Sequence, residues 1–306
     1  MEEKDFTILR YIAEEMHLTK AAERLFMTQP ALTYRIQQLE KELDTQILIK
    51  NGKRIKFTAQ GEYLVSFANK MLAEYRVAKD SLANMSSDVQ GTLRIGAASI
   101  FARYFLPSLM KSFVTLYPKV IYNVYTGPSP KIMELLDTES VDVAFIRGEY
   151  KWTDPKYPIT EENLCLISKH EIDLDELPNL QRIEYSYNIK QPIPSKFRPQ
   201  VSVKDNMRSW WAERYSVPPL TTVMVDSYDI CKEMVINDLG YAFIPETFIN
   251  EGDDLHKIRL LRQNGETIKR TTWLQYKESS MQLNIVDKFV SFVRSQSFPP
   301  SQRSEK

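Results

Sequence analysis

The sequence predicts an α/β protein in three parts: a winged helix-turn-helix over residues 1–58, a long linker helix over 59–87, and a two-lobe α/β domain over 92–294. Three observations carry this. Residues 18–43 hold two amphipathic stretches split by a polar break and are followed by a hairpin signal at Asn51-Gly52. Residues 64–85 repeat apolar side chains at steps of three and four. From residue 92 onward, short β-rich runs alternate with helical ones, the pattern of a mostly parallel sheet flanked by helices.

Residues 1–17 read as a first helix with Phe6, Leu9, Ile12, Ala13 and Met16 facing inward. A second helix is expected over 20–26, with Thr19 as its N-cap. A third follows Thr28, another N-cap, and runs to about residue 43, with Pro30 in the first turn where its missing N–H costs little. Ala21, Ala22 and Leu25 form one apolar stripe, and Leu32, Ile36, Leu39 and Leu43 the other. That leaves Gln29, Thr33, Tyr34, Arg35 and Gln38 nearer the outside, groups suited to base edges and phosphates. Two helices alone would suit an ordinary helical hairpin equally well. The stretch ILIKNGKRIKFT over 47–58 shifts the balance, because Asn-Gly favours a tight two-residue turn and the arms alternate apolar with basic residues. Lys50, Lys53, Arg54 and Lys56 make it a basic wing beside a helix-turn-helix. The expected DNA contacts are therefore Thr28, Gln29, Pro30, Thr33, Tyr34, Arg35 and Gln38 on the helix, and Lys53, Arg54 and Lys56 on the wing.

Bulk composition is neutral on this point. The 306 residues carry 40 Lys+Arg against 40 Asp+Glu, so any basic footprint is local to the wing. The two cysteines, Cys165 and Cys231, sit in apolar settings and read as buried thiols, while His17, His170 and His256 stand too far apart for a metal site. With nine Gly, no glycine-rich phosphate loop, no nucleophile elbow and no paired histidines, the chain does not read as an enzyme. The acidic N-terminus has no apolar signal core, and no run reaches membrane length, so a cytoplasmic protein is expected. A secreted solute-binding protein would share the two-lobe design but not the winged part.

The linker helix is expected to start after Thr58. Leu64, Phe67, Met71, Tyr75, Ala78, Leu82 and Met85 give it a coiled-coil-like seam. A partner chain is the expected cover, through Leu64, Phe67, Met71, Tyr75 and Leu82, although the helix could instead lie on the next domain. Beyond the polar hinge at 86–91, strands are expected at 92–97, 120–125 and 141–146, with helices at 101–116 and 130–136. A second series then runs through strands at 164–168, 183–185, 222–225 and 241–244, with helices at 205–215 and 227–237. A last strand (271–276) and helix (281–294) return to the first lobe, giving lobe I as 92–161 with 266–294 and lobe II as 162–265. Ligands in such sheets sit off the carboxyl ends of strands. Ser99, Thr126, Ser129 and Arg147 stand at such ends and are the expected effector contacts. Each serine could equally be a plain N-cap, and Arg147 could pair with Glu149.

The first sixty residues resemble the winged domain of the LysR-type bacterial transcriptional regulators. The match rests on Phe6, Ala21-Ala22, Leu25, Gln29-Pro30-Ala31-Leu32, Ile36, Leu39-Glu40, Leu43, Thr58 and Gly61. Thr33-Tyr34 stand where the family usually has Ser-Arg, with arginine one place later at Arg35, and Leu48 and Lys50 replace its usual Phe and Arg. Residues 92–294 resemble the periplasmic-binding-protein-like effector domain of the same family, through Leu93-Arg94-Ile95-Gly96, Leu106-Pro107, Tyr117-Pro118, Asp142-Val143-Ala144 and Gly240 to Pro245. The resemblance implies a dimer or tetramer on double-stranded promoter DNA, with RNA polymerase as a further partner. It also implies no cofactor beyond a small-molecule effector held between the lobes. Arg147 and the two helix starts near Ser99 and Ser129 lead us to expect an anionic metabolite.

Overall fold

Three helices and a hairpin build the N-terminal unit. α1 (Glu3–Glu15), α2 (Leu18–Arg24) and α3 (Gln29–Glu42) bury Ile8, Leu9, Ile12, Ala21, Ala22, Leu32, Ile36 and Leu39 in one core. The hairpin of β1 (Leu48–Asn51) and β2 (Arg54–Phe57) adds Leu48, Ile55 and Phe57. This is a computed structural model, and it describes residues 1–51, 54–83, 89–186, 194–250 and 252–298. Gly52 and Lys53, Met85, and hinge residues 86–88 lie outside the described residues.

Thr28 caps α3, its Oγ1 accepting the Ala31 N–H at 3.4 Å, with Pro30 in the first turn. The start of α2 differs from expectation. Met16 takes a left-handed conformation (φ 48) that ends α1, and the extended His17 becomes the cap of α2, so Thr19 lies inside the helix. Met16 is consequently exposed at a helix end, and Ile8 fills the core instead.

α4 (Ala59–Ala83) starts where expected. Thr58 Oγ1 accepts the Gly61 N–H at 2.9 Å. A Cβ on Gly61 would stand 2.3 Å from the Ile47 carbonyl oxygen, so only glycine lets α4 lie this close to the hairpin. Ala68 is buried in the winged core, with Leu64 and Val65 packed beside it, and the Phe6 and Phe67 rings meet edge to face at 5.8 Å. Nearly two turns before the helix ends, Val77 packs on the core of the next domain.

That domain is a nine-stranded mixed sheet with helices on both faces. Its strands in chain order begin with β3 (Gly91–Ala98), followed by α5 (Ser99–Tyr104) and α6 (Leu106–Leu116), then β4 (Val120–Gly127), α7 (Ser129–Asp137) and β5 (Val143–Arg147). The single helix expected over 101–116 is two. Pro107 has no N–H to offer the preceding turn, so the chain breaks at Phe105 and restarts with proline in the first turn of α6. β6 (Glu149–Tyr150) leads to β7 (Lys156–Ser168), which carries the chain into the second lobe through β8 (Arg182–Tyr185), β9 (Pro199–Val201), α8 (Val203–Ala212), β10 (Thr221–Val225), α9 (Tyr228–Ile236), β11 (Tyr241–Pro245) and β12 (His256–Arg259). β13 (Lys269–Tyr276) and α10 (Asn284–Ser295) complete it.

The sheet order is β10-β8-β11-β7-β13-β5-β3-β4, with β12 also on β7; β6 and β9 form a separate pair. β3, β4 and β5 are parallel to one another, as are β8, β10 and β11. Two long antiparallel strands join these halves. β7 pairs with β13 along its first half and with β11 and β12 along its second, and β13 pairs with β5 on its other side. α10 closes the first lobe, placing Ile285, Val286, Phe289, Val290 and Val293 in a core with Leu93, Ile95, Phe101, Phe113 and Phe145.

Candidate functional site

On α3 the inward stripe leaves a distinct outer surface. Thr28, Gln29 and Pro30 are exposed at its N-terminus, Tyr34 is 64% exposed, and Thr33 and Gln38 are half-buried. Gln29 Nε2 donates to Thr33 Oγ1 at 2.8 Å, which ties together two of these groups four residues apart on the helix. Lys56 is exposed on β2, where Arg54 also stands. Leu43, expected as the end of the inner stripe, lies outside the helix as its C-cap and is exposed.

Arg35 requires a correction. Its guanidinium is not presented outward as an open fork: Nε and Nη2 each donate at 2.7 Å to the two oxygens of Asp5, and Nη1 reaches Glu42 at 3.3 Å. Asp5 is only 1% exposed. Burial works to raise its pKa, but the hydrogen bonds from Arg35, a backbone N–H from Glu2 and the guanidinium charge together hold it below the usual carboxylate value. Bidentate geometry of this kind uses the same edge a guanine would need. Arg35 therefore ties α3 to α1. Phe26, which sequence reasoning missed, stands 99% exposed in the turn ahead of α3, with a left-handed backbone (φ 53) that a bulky residue seldom adopts. Its one sequence signal is an aromatic residue where the turn calls for glycine or asparagine.

The expected seam on α4 is only partly covered by the chain itself. Leu64 and Met71 are half-buried within the chain, whereas Phe67, Tyr75, Ala78 and Leu82 are exposed, Leu82 at 67%. The opposite face of the helix is held to the domain that follows. Arg76 grips both oxygens of the buried Asp142 and the Thr92 carbonyl, and Asp142 also accepts the backbone N–H of Arg94 at 2.7 Å and its guanidinium at 3.2 Å.

Between the lobes, Arg147 ends β5 as expected, but its partner is not Glu149. Arg147 (4% exposed) forms a buried ion pair with Glu162 of β7 (5% exposed), and Thr247 donates to the second oxygen of Glu162. Burial pushes the Arg147 pKa down and Glu162 works against that shift. Glu149 is occupied by the Trp273 indole N–H at 2.9 Å and by Lys156 at 3.5 Å. Ser129 is buried and spans the backbone of Arg147, donating to its carbonyl at 3.1 Å and accepting its N–H at 3.0 Å. It pins the end of β5 instead of opening to a ligand. Ser99 and Thr126 are exposed, Ser99 at the start of the six-residue α5 and Thr126 on the outermost strand. The narrow space around Arg147 is lined by Ile100, Phe101, Phe105, Thr160, Glu162, Thr247 and Thr272, so neither Ser99, Thr126 nor Ser129 reaches it. Cys165 and Cys231 are free, and burial pushes both thiols up to about 12, which makes them inert. Among the described residues, no helix is long and apolar enough to cross a membrane.

A winged helix-turn-helix on a long helix, followed by two lobes that close on a charged cleft, is the build of a DNA-binding regulator with a ligand-binding domain. Residues 4–62 match the family described as a bacterial regulatory helix-turn-helix protein of the lysR family, and residues 86–297 match the LysR substrate binding domain. The uncharacterized HTH-type transcriptional regulator YraN of Bacillus subtilis (strain 168) is 38% identical over 294 residues, covering 96% of this chain and 98% of YraN. CysL, an HTH-type transcriptional regulator of the same organism, is 26% identical over 293 residues, covering 93% of this chain and 94% of CysL. A full-length variant of OxyR from Pseudomonas aeruginosa superposes with a TM-score of 0.63 at 17% identity, covering 97% of this chain and 99% of that one. Full-length CbnR in complex with its target DNA gives 0.57 at 22% identity, covering 96% and 99%. These two likenesses concern the fold. The chain belongs to the LysR family and is a DNA-binding transcriptional regulator with a C-terminal effector-binding domain.

Proposed function

We propose that this regulator reads promoter DNA through the outer face of α3 and the basic wing, as a dimer of dimers in the cytoplasm, and that a small anionic metabolite between the lobes changes how the pairs sit on the DNA. In this reading residues 1–58 bind DNA, 59–87 pair the subunits and 92–294 respond to the effector. The observation that carries it is the outer row of exposed Gln29 and Tyr34 with half-buried Thr33, whose polar and aromatic groups lie off the stripe of Leu32, Ile36 and Leu39 that fills the core. Arg35 leaves the base-reading set because Asp5 holds it. Lys53, Arg54 and Lys56 remain as backbone contacts that add affinity without sequence preference.

Two separate apolar surfaces support the assembly. One is the stripe of Phe67, Tyr75 and Leu82 on α4. The other is at the open edges of the sheet, where β4 exposes Ile121, Val124 and Tyr125 and β10 exposes Met224, with Leu220 just before it. A chain with two distinct self-complementary patches closes as a tetramer. RNA polymerase is the partner this arrangement would serve at a promoter. The anionic character of the effector rests on the charge of the cleft, where Arg147 of β5 and Arg270 of β13 stand beside one carboxylate, Glu162.

Footprinting of DNA from beside the protein's own gene, with wild-type protein and Tyr34→Ala, tests the reading. A protected site whose sequence preference relaxes in the variant, by about 1–3 kcal/mol at the contacted pair, is the expected result. Binding to all sequences alike by the wild type would overturn it.

A further inference from the structure

Among the described residues, Arg270 forms no ion pair of its own at the place where the lobes meet. β13 sets Arg270 opposite Glu162 of β7, and Thr272 opposite Arg147 of β5. Directly opposed residues and residues two apart share a face of a sheet, so Arg270, Thr272, Glu162 and Arg147 stand on one face of it. Glu162 is already held there by Arg147 and Thr247. Arg270 makes no ion pair or side-chain hydrogen bond among the described residues, and its Nε is fully buried with no acceptor. A buried N–H without an acceptor is an unfavourable arrangement that folded chains seldom keep. Burial raises the pKa of Tyr150 on the first lobe and of Tyr228 of α9 on the second, and the Arg270 charge opposes both shifts. Tyr228 stacks on Tyr185 at 3.9 Å between ring centres, giving a flat apolar surface on the second-lobe side.

We propose that Arg270, not Arg147, is the residue that captures the anionic group of the effector, while the Arg147–Glu162 pair clasps the lobes together. This rests on the interlobe reading given above and names the group that acts within it. The occupant class is a small carboxylate, phosphate or sulfate that accepts from the Nε and one Nη of a single guanidinium, with an apolar portion toward Tyr228. Arg147 is unsuited to the task because a ligand there would have to displace a carboxylate already buried on it. Among the described residues, Arg270 has no such partner to displace.

Isothermal titration of the full-length protein with inorganic phosphate, sulfate and acetate tests this. At least one anion should bind saturably. Arg270→Gln should weaken it tenfold or more, Arg270→Lys should recover part of the loss, and Lys269→Gln should leave it unchanged, since Lys269 is exposed and pairs with Glu161 at 3.0 Å. Because Arg270 has no ion-pair partner among the described residues to strand, Arg270→Gln should unfold at the wild-type temperature. Anion binding that responds to Glu162→Gln or Arg147→Gln but not to Arg270→Gln would keep the cleft and overturn the role of Arg270. Binding that responds to none of these, or no binding by the wild type, would overturn both.

Discussion

Arg35→Ala separates two roles that the sequence alone leaves together, clamp and base reader. The change removes two hydrogen bonds of 2.7 Å from a carboxylate that is 1% exposed, leaving only the Glu2 N–H on Asp5. Hydrogen bonds to a charged group contribute about 1.5–3 kcal/mol, and breaking a fully buried pair costs roughly 3–5 kcal/mol. Arg35 keeps a third of its side chain in water, which screens the pair, so a loss of about 2–4 kcal/mol is expected for the N-terminal unit at neutral pH. The folded pKa of Asp5 lies below its ordinary 3.8, so its contribution is fully present above that value and is lost as pH falls through the folded pKa. The gap between wild type and variant should therefore be widest near neutrality and narrow below about pH 4. Amide hydrogen exchange in α1 and α3 reads this locally, without requiring the whole chain to unfold in one step. Unchanged protection in both helices, together with lost sequence preference on DNA, would refute the clamp and return Arg35 to the bases.

Two further outcomes follow from the same surfaces. Lys56→Ala should weaken binding to every DNA sequence alike and lower the slope of affinity against salt by about one, as a salt titration of matched and scrambled fragments would report. Leu82→Asp should abolish the helix-paired dimer in sedimentation while leaving the subunit's own stability intact, because Leu82 is exposed within the chain; a variant of unchanged mass would remove α4 from the interface.

What the sequence disclosed and what it hid divide by range. The start of α3 was legible because Thr28, Pro30 and the stripe of Leu32, Ile36 and Leu39 are local signals, acting within a turn or two. The split between α5 and α6 was equally local, yet the continuous apolar pattern masked the effect of Pro107. The first half of β7 escaped because Lys156, Glu161 and Glu162 interrupt an apolar alternation, and its pairing with β13 joins segments about a hundred residues apart. Shorter separations, 30 and 15 residues, still hid the partners of the two arginines. Nothing near Arg35 announces Asp5, and nothing near Arg147 announces Glu162; the adjacent Glu149 is the obvious candidate but is occupied by Trp273 and Lys156. Side chains at strand ends were placed correctly by pattern, but which of them would be left unpaired is a property of the assembled sheet.

β5 gives the effector domain a rigid tie rod. Asp142, immediately before the strand, is bolted to the linker helix through Arg76, and Arg147 at its far end is bolted to β7 through Glu162. Every residue between them is buried, with β3 on one side and β13 on the other. A strand cannot stretch, and slipping by one residue would turn its buried side chains to the wrong faces. A displacement imposed at the cleft end therefore has no slack to be absorbed in. It arrives about 17 Å away as a tilt of the anchor on α4, the helix whose first turns pack into the winged core through Leu64, Val65 and Ala68.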